Sequence, residues 1–188
     1  MSVTVTPRTF SVVRFDAPTI EARAERLLTL LEMEDHEVVV EVDESSPMAR
    51  VRMELGPPIV AHVASGAFED TRRPRSMSEV AVDTALGRAL VRVRDRLSGR
   101  FDDAPPDAAL SPAQRAAWDA YAVGRLERLG YPVHRPRWAY SFRNRLGFSD
   151  EVDQRFARLW SANDLSWSDL AALAAVGTSS GDPGRAPA

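Results

Sequence analysis

Two stretches hold the residue types that could do chemistry. One is Ile59-Val-Ala-His-Val-Ala64, and the other is the run "HRPRWAYSFRNR" at residues 134 to 145. On an extended strand Val60, His62 and Ala64 share one face, and Ala61 and Val63 share the other. If this strand lies beside the two segments before it, His62 comes within reach of Glu41 or Arg52. A Glu/Arg/His cluster is the raw material of proton transfer. The plainer account is a polar side chain on the wet face of a sheet. It is preferred here, because the sequence does not fix the register and no second histidine lies nearby. His62, Glu41 and Arg52 are therefore candidates, with no residue assigned a catalytic role.

The second stretch packs four arginines, three aromatic residues and no acid into twelve positions, in a chain of net charge -3. From Arg125 to Arg145 there are six arginines against one acid, Glu127. Arginine interleaved with aromatic rings is the composition of single-strand nucleic-acid surfaces, where bases stack on rings and guanidinium groups hold phosphates. A rival account reads Trp138, Tyr140 and Phe142 as the inward face of a strand, alternating with Arg137 and Arg143. The arginines would then pair with the acids of residues 32 to 44, seven in all, across a seam between two halves of the molecule. This second account is favoured, because the chain is acidic overall and buried aromatics outnumber stacking platforms. The binding residues expected on either account are Arg135, Arg137, Trp138, Tyr140, Arg143 and Arg145.

Other chemistries are excluded or unsupported. The chain has no cysteine, which removes disulfides, thiolate nucleophiles and cysteine-bound metals. All 24 basic residues are arginine, so there is no lysine for a Schiff base or a phosphate loop. The acids of residues 32 to 44 are hard oxygen ligands, but they lack the glycine and spacing of a calcium loop. No metal site and no cofactor are expected. His36 reads as a residue at a helix end, and His134 as part of the arginine-rich loop. Gly177-Thr-Ser-Ser-Gly181 fits the G-x-S-x-G pattern but follows a helix instead of a strand, so it is rejected as a nucleophile elbow.

The elements that would position these residues follow from periodicity. FSVVRF (10–15) reads as a strand and Thr19 to Asp35 as an amphipathic helix. Residues 37–44 and 49–55 alternate and suggest a β-hairpin over 37–55, followed by a third strand at 59–64. Ser76 and Glu79 form a capping box for a helix running to Leu97. FDDAPPDAAL (101–110) reads as an acidic linker. A helical half spans 111–176, with capping boxes at Ser111/Gln114 and Ser166/Asp169, and with Trp118 and Trp160 as core anchors. Residues 177–188 read as a flexible tail.

The expected fold is α+β: a small, mostly antiparallel sheet of three or four strands with two helices over residues 1–100, and a helical C-terminal half packed on it. No segment has the ~18 apolar residues of a membrane span, and the N-terminus has no signal-peptide pattern, so a cytoplasmic location is expected. The favoured function is a non-enzymatic binding or regulatory protein acting through protein–protein contacts. The alternatives are a nucleic-acid or phosphate binder using residues 125–145, and an enzyme with a Glu/Arg/His site on the sheet.

Overall fold

The computed structural model describes residues 2–175. Four strands, β1 (Ser2–Thr6), β2 (Glu37–Asp43), β3 (Val51–Glu54) and β4 (Ile59–Ala64), form one sheet in the order β1-β2-β4-β3. β1 and β4 both run parallel to β2, and only β3 is antiparallel to its neighbour. The fold is α+β, but the sheet is mixed, not mostly antiparallel, and residues 37–55 do not form a hairpin. β4 separates the two alternating segments. Its buried residues Ile59, Ala61 and Val63 suit a central strand, whereas β3 exposes Arg52 and Glu54, which suits an edge.

Helices α1 (Ala17–Leu30) and α2 (Glu79–Leu97) cover one face of the sheet. Val3, Val5, Val38, Val40 and Val42 share a core there with Ile20, Leu27, Leu28, Leu86 and Leu90. The opposite face presents exposed or half-buried side chains. A small hairpin of β5 (Glu69–Asp70) and β6 (Arg73–Met77) precedes α2. Ser78, not Ser76, caps α2 by accepting from the Ala81 N–H. Ser76 is instead bridged to Arg14.

Residues 10–15 are not a strand. The amides of Ser11, Val12 and Val13 all donate to one carboxylate oxygen of Glu44, at 2.8, 2.6 and 3.2 Å. Backbone groups satisfied in this way need no neighbouring strand. α1 ends at Leu30, short of Asp35, and His36 lies in the turn beyond it.

The helical half consists of α3 (Pro112–Arg128), α4 (Arg135–Leu146), α5 (Asp150–Ser161) and α6 (Trp167–Ala174). Both expected capping boxes, at Ser111/Gln114 and Ser166/Asp169, are present. Trp118 and Trp160 are buried. Residues 101–110 are no spacer: Phe101 stacks on Trp118 with ring centroids 4.9 Å apart, and Ala104 and Leu110 are buried beside it. The double proline bars an α-helix or strand through it, leaving a single 3-10 turn at Asp107–Ala109, but it does not bar packing. The expected tail, with its G-x-S-x-G match, lies outside the described residues.

The two halves are held by a seam of charge, but not the one the sequence suggested. Arg88 on α2 pairs with Asp119 on α3 at 2.8 Å. Arg92 reaches Asp119 and Asp107 at 3.5 and 3.0 Å, and Arg96 reaches Asp107 at 2.7 Å. Arg92 and Arg96 also lie over the Trp118 ring, 4.6 and 4.9 Å from its centroid. Arg125 on α3 pairs with the buried Asp95 on α2. So the cations of this seam come mainly from α2, and the acids of residues 32–44 take no part in these pairs.

Candidate functional site

The register fixes where the sheet candidates fall. Thr6 pairs with Glu41, Glu41 with His62, and His62 with Arg52, so these four residues form one row across all four strands. Successive residues alternate faces, which puts the row opposite the core. His62 Nδ1 lies 2.9 Å from Glu41 Oε2, and Nε2 lies 3.2 Å from Glu54 Oε2. The row borders a hollow of about 600 Å³ that Thr6, Asp43, Ser46, Arg50 and Arg52 also line.

The chemistry of this row is constrained by hydrogen bonding. A carboxylate only accepts, so either contact uses a ring N–H as its donor, and the tautomer decides which nitrogen carries it. Both carboxylates are at least half exposed. Glu54 was not expected from the sequence. Its signal was its place two residues after Arg52 on an alternating strand. Among the described residues, no group of three His, Cys, Asp or Glu is placed to hold a metal ion.

The arginine-rich candidates fall on α4, a helix where alternation suggested a strand. Trp138, Phe142 and Leu146 recur every four residues, and this stripe is the one that packs inward, with Phe142 buried. Pro136 sits in the first turn, and the His134 side chain accepts from the Arg137 N–H at 3.2 Å. The period-two reading fails at Tyr140, which points outward and is 59% exposed.

The six arginines of residues 125–145 then divide by partner. Arg125 is spent on Asp95. Arg128 donates to Asn163 and to the Trp160 and Ala162 carbonyls. Arg135 lies over the Phe156 and Trp160 rings, at 6.0 and 5.6 Å. Arg143 makes a two-pronged contact to Asp153 through Nε and Nη2, each at 2.6 Å. That hydrogen bonding holds the Asp153 carboxyl below its ordinary range. Arg137 and Arg145 have no side-chain partner among the described residues.

Tyr140 follows Arg137 by one helical turn, and Phe148, 66% exposed, follows Arg145 by three residues in the chain. Their rings meet edge to face, with centroids 6.1 Å apart and an interplanar angle of 67°. α5 starts at Asp150 and carries Asp150, Glu151 and Asp153 in its first turn. The structure thus leaves Arg137, Tyr140, Arg145 and Phe148 exposed, with the two rings in contact. It places Trp138 on the opposite, half-buried side and commits Arg135 and Arg143 to internal contacts.

No helix among the described residues is long and apolar enough to cross a membrane. Compared with known proteins, the chain matches no family model, no curated protein and no solved structure.

Proposed function

We propose that this chain is a non-enzymatic binding protein that acts through protein–protein contact, with the exposed face of α4 as its docking surface. The observation that carries this reading is the pair Tyr140 and Phe148, both exposed and in contact, on a helix and its following turn whose Arg137 and Arg145 guanidinium groups have no partner among the described residues. Aromatic residues and arginine are the side chains that anchor protein interfaces.

Two features weigh against a nucleic acid on the same surface. Rings meeting edge to face offer no run of parallel platforms for successive bases. The acids that open α5 lie directly beyond Phe148 in the chain, and they repel a continuous phosphate backbone while accommodating a partner of mixed charge. An enzyme is disfavoured because the Glu41 and Glu54 carboxylates beside His62 are at least half exposed to water.

The test places a photo-crosslinking amino acid at Tyr140 in the full chain, in its native host. A discrete protein adduct is expected. It should be lost when Arg137 and Arg145 are both changed to glutamate, and it should survive His62→Ala. An RNA or DNA adduct, or no adduct, would overturn the proposal.

A further inference from the structure

The acids of residues 32–44 divide as the arginines do. Glu32 pairs with Arg94 at 2.7 Å. Glu41 meets His62, Asp43 accepts from the Ser45 N–H and hydroxyl, and Glu44 holds the amides of Ser11, Val12 and Val13. The remaining three, Glu34, Asp35 and Glu37, are exposed. No hydrogen bond or ion pair engages their carboxylates among the described residues. They occupy the turn between α1 and β2 and the first residue of β2, next to Leu30, an exposed apolar residue at the end of α1.

We infer that the partner docked by α4 is a second copy of this chain, engaged through this acidic turn; the inference rests on the docking role given to α4 above. Each surface supplies what the other lacks. One offers two unpartnered guanidinium groups on the same short segment as two exposed aromatic rings, and the other offers three unpaired carboxylates a few residues after an exposed leucine. Within one molecule no ion pair joins them: Arg143 has turned to Asp153, and the seam uses other residues. Between molecules, Arg137 and Arg145 pair with Glu34, Asp35 and Glu37, and Leu30 covers the Tyr140–Phe148 pair. Burial of that apolar contact shields the flanking charges from water, which strengthens them. The contact joins two different patches. Made reciprocally by two copies, it closes a two-fold dimer.

A rival basic surface exists. Arg14, Arg72, Arg73 and Arg75 are exposed on and beside the β5–β6 hairpin, and no carboxylate pairs with their guanidinium groups among the described residues. The experiment must separate it from α4.

Sedimentation equilibrium of the full chain over a wide concentration range, at low and high salt, reads the association directly. A salt-weakened monomer–dimer equilibrium is expected. Arg137→Glu with Arg145→Glu should raise the dissociation constant by at least about tenfold. So should Glu34→Arg with Asp35→Arg. Mixing these two charge-reversed proteins should restore a dimer, because both of its contacts are then complementary. All four positions are exposed, and thermal melts of each variant check that folding is unchanged. A parent that stays monomeric overturns the inference, as does a dimer indifferent to the α4 reversals, or one lost only when Arg72, Arg73 and Arg75 become glutamate. If the parent is monomeric while the crosslinker at Tyr140 captures a different protein, this inference fails and the docking role stands. If that crosslinker captures nothing, both fail.

Discussion

Glu44 does for the N-terminal loop what a bound anion does in other folds: one carboxylate oxygen gathers three consecutive backbone N–H groups. Those bonds hold its carboxyl below the ordinary glutamate range. A carboxyl depressed in the folded state contributes stability above its unfolded value, roughly 4.3, and that stability is lost as the pH falls through the folded value. Melting temperature should therefore decline on acidification below about pH 4. Glu44→Gln should flatten part of that decline, and melts recorded across the acid range check it. Some slope should remain, since Asp43, Asp153 and Asp169 are depressed in the same way. Trp118 carries a different load. Its indole N–H donates to Asp95 Oδ2 at 2.8 Å, while its ring supports Arg92 and Arg96. Burial pushes the Asp95 carboxyl up, against the pull of Arg125. Trp118→Phe keeps a ring but strands that oxygen, and should cost about 1–3 kcal/mol. Trp118→Ala should cost about 3–5 kcal/mol. Urea titrations of the two variants give the comparison. At this scale the sequence was partly legible. His62 was placed in reach of Glu41 and Arg52, and the register sets it between them. The pairing of Arg143 with Asp153 was not legible, because it depends on α4 being a helix.

At the scale of elements, the capping boxes located the starts of α3 and α6, while the cap of α2 was misplaced by two residues and α4 was read as a strand. Serine or aspartate side chains cap α1, α3, α5 and α6 by accepting from the first-turn amides. Strand pairing was harder to read. The alternation in residues 37–44 and 49–55 named two strands, but it holds no information about which strand comes between them. Trp138-Ala-Tyr-Ser-Phe142 fits both a period of two and a spacing of four, and only packing against α3 and α5 decides between them. The crossing of α3 and α5 yields a prediction of its own. A Cβ added at Gly124 would lie 2.2 Å from the Trp160 carbonyl oxygen, so the two backbones approach too closely for any side chain. At Gly87 the nearest atoms, 2.8–3.0 Å away, are the methyl ends of Leu126 and Leu27, which can move. Gly124→Ala should destabilise by more than about 2 kcal/mol, as overpacking against fixed backbone does. Gly87→Ala should cost less than half as much, because the gain in helix propensity offsets part of the strain. Chemical denaturation of both variants gives the ratio.

Across the whole molecule, α3 belongs to two cores at once. Ala122 and Leu126 face the cluster beneath the sheet, while Trp118, Tyr121 and Val123 face the helical cluster. With Arg88, Arg92 and Arg96 bound to Asp107 and Asp119, this leaves little for either half to unfold around alone. The chain should melt in one transition. A fragment of residues 1–100 should not reach full stability, since it lacks the α3 residues of its own core; calorimetry of the chain beside circular dichroism of the fragment tests both statements. That one helix presents two apolar faces to two clusters was not legible in the sequence, because the periodicity of residues 112–128 shows apolar positions but not which neighbours they meet. The position of β4 between β2 and β3 also sets a timetable for a chain that is made from its N-terminus onward. β1, α1 and β2 form a parallel unit joined by a helix, and it can assemble as soon as residue 43 has left the ribosome. β3 is made next and emerges with nothing to pair with, while the free edge of β2 stays open beside it. Both wait for the same six residues of β4. A nascent chain paused between residues 55 and 59 would expose two unpaired strand edges at once, the state in which a chaperone or a neighbouring nascent chain finds the easiest hold.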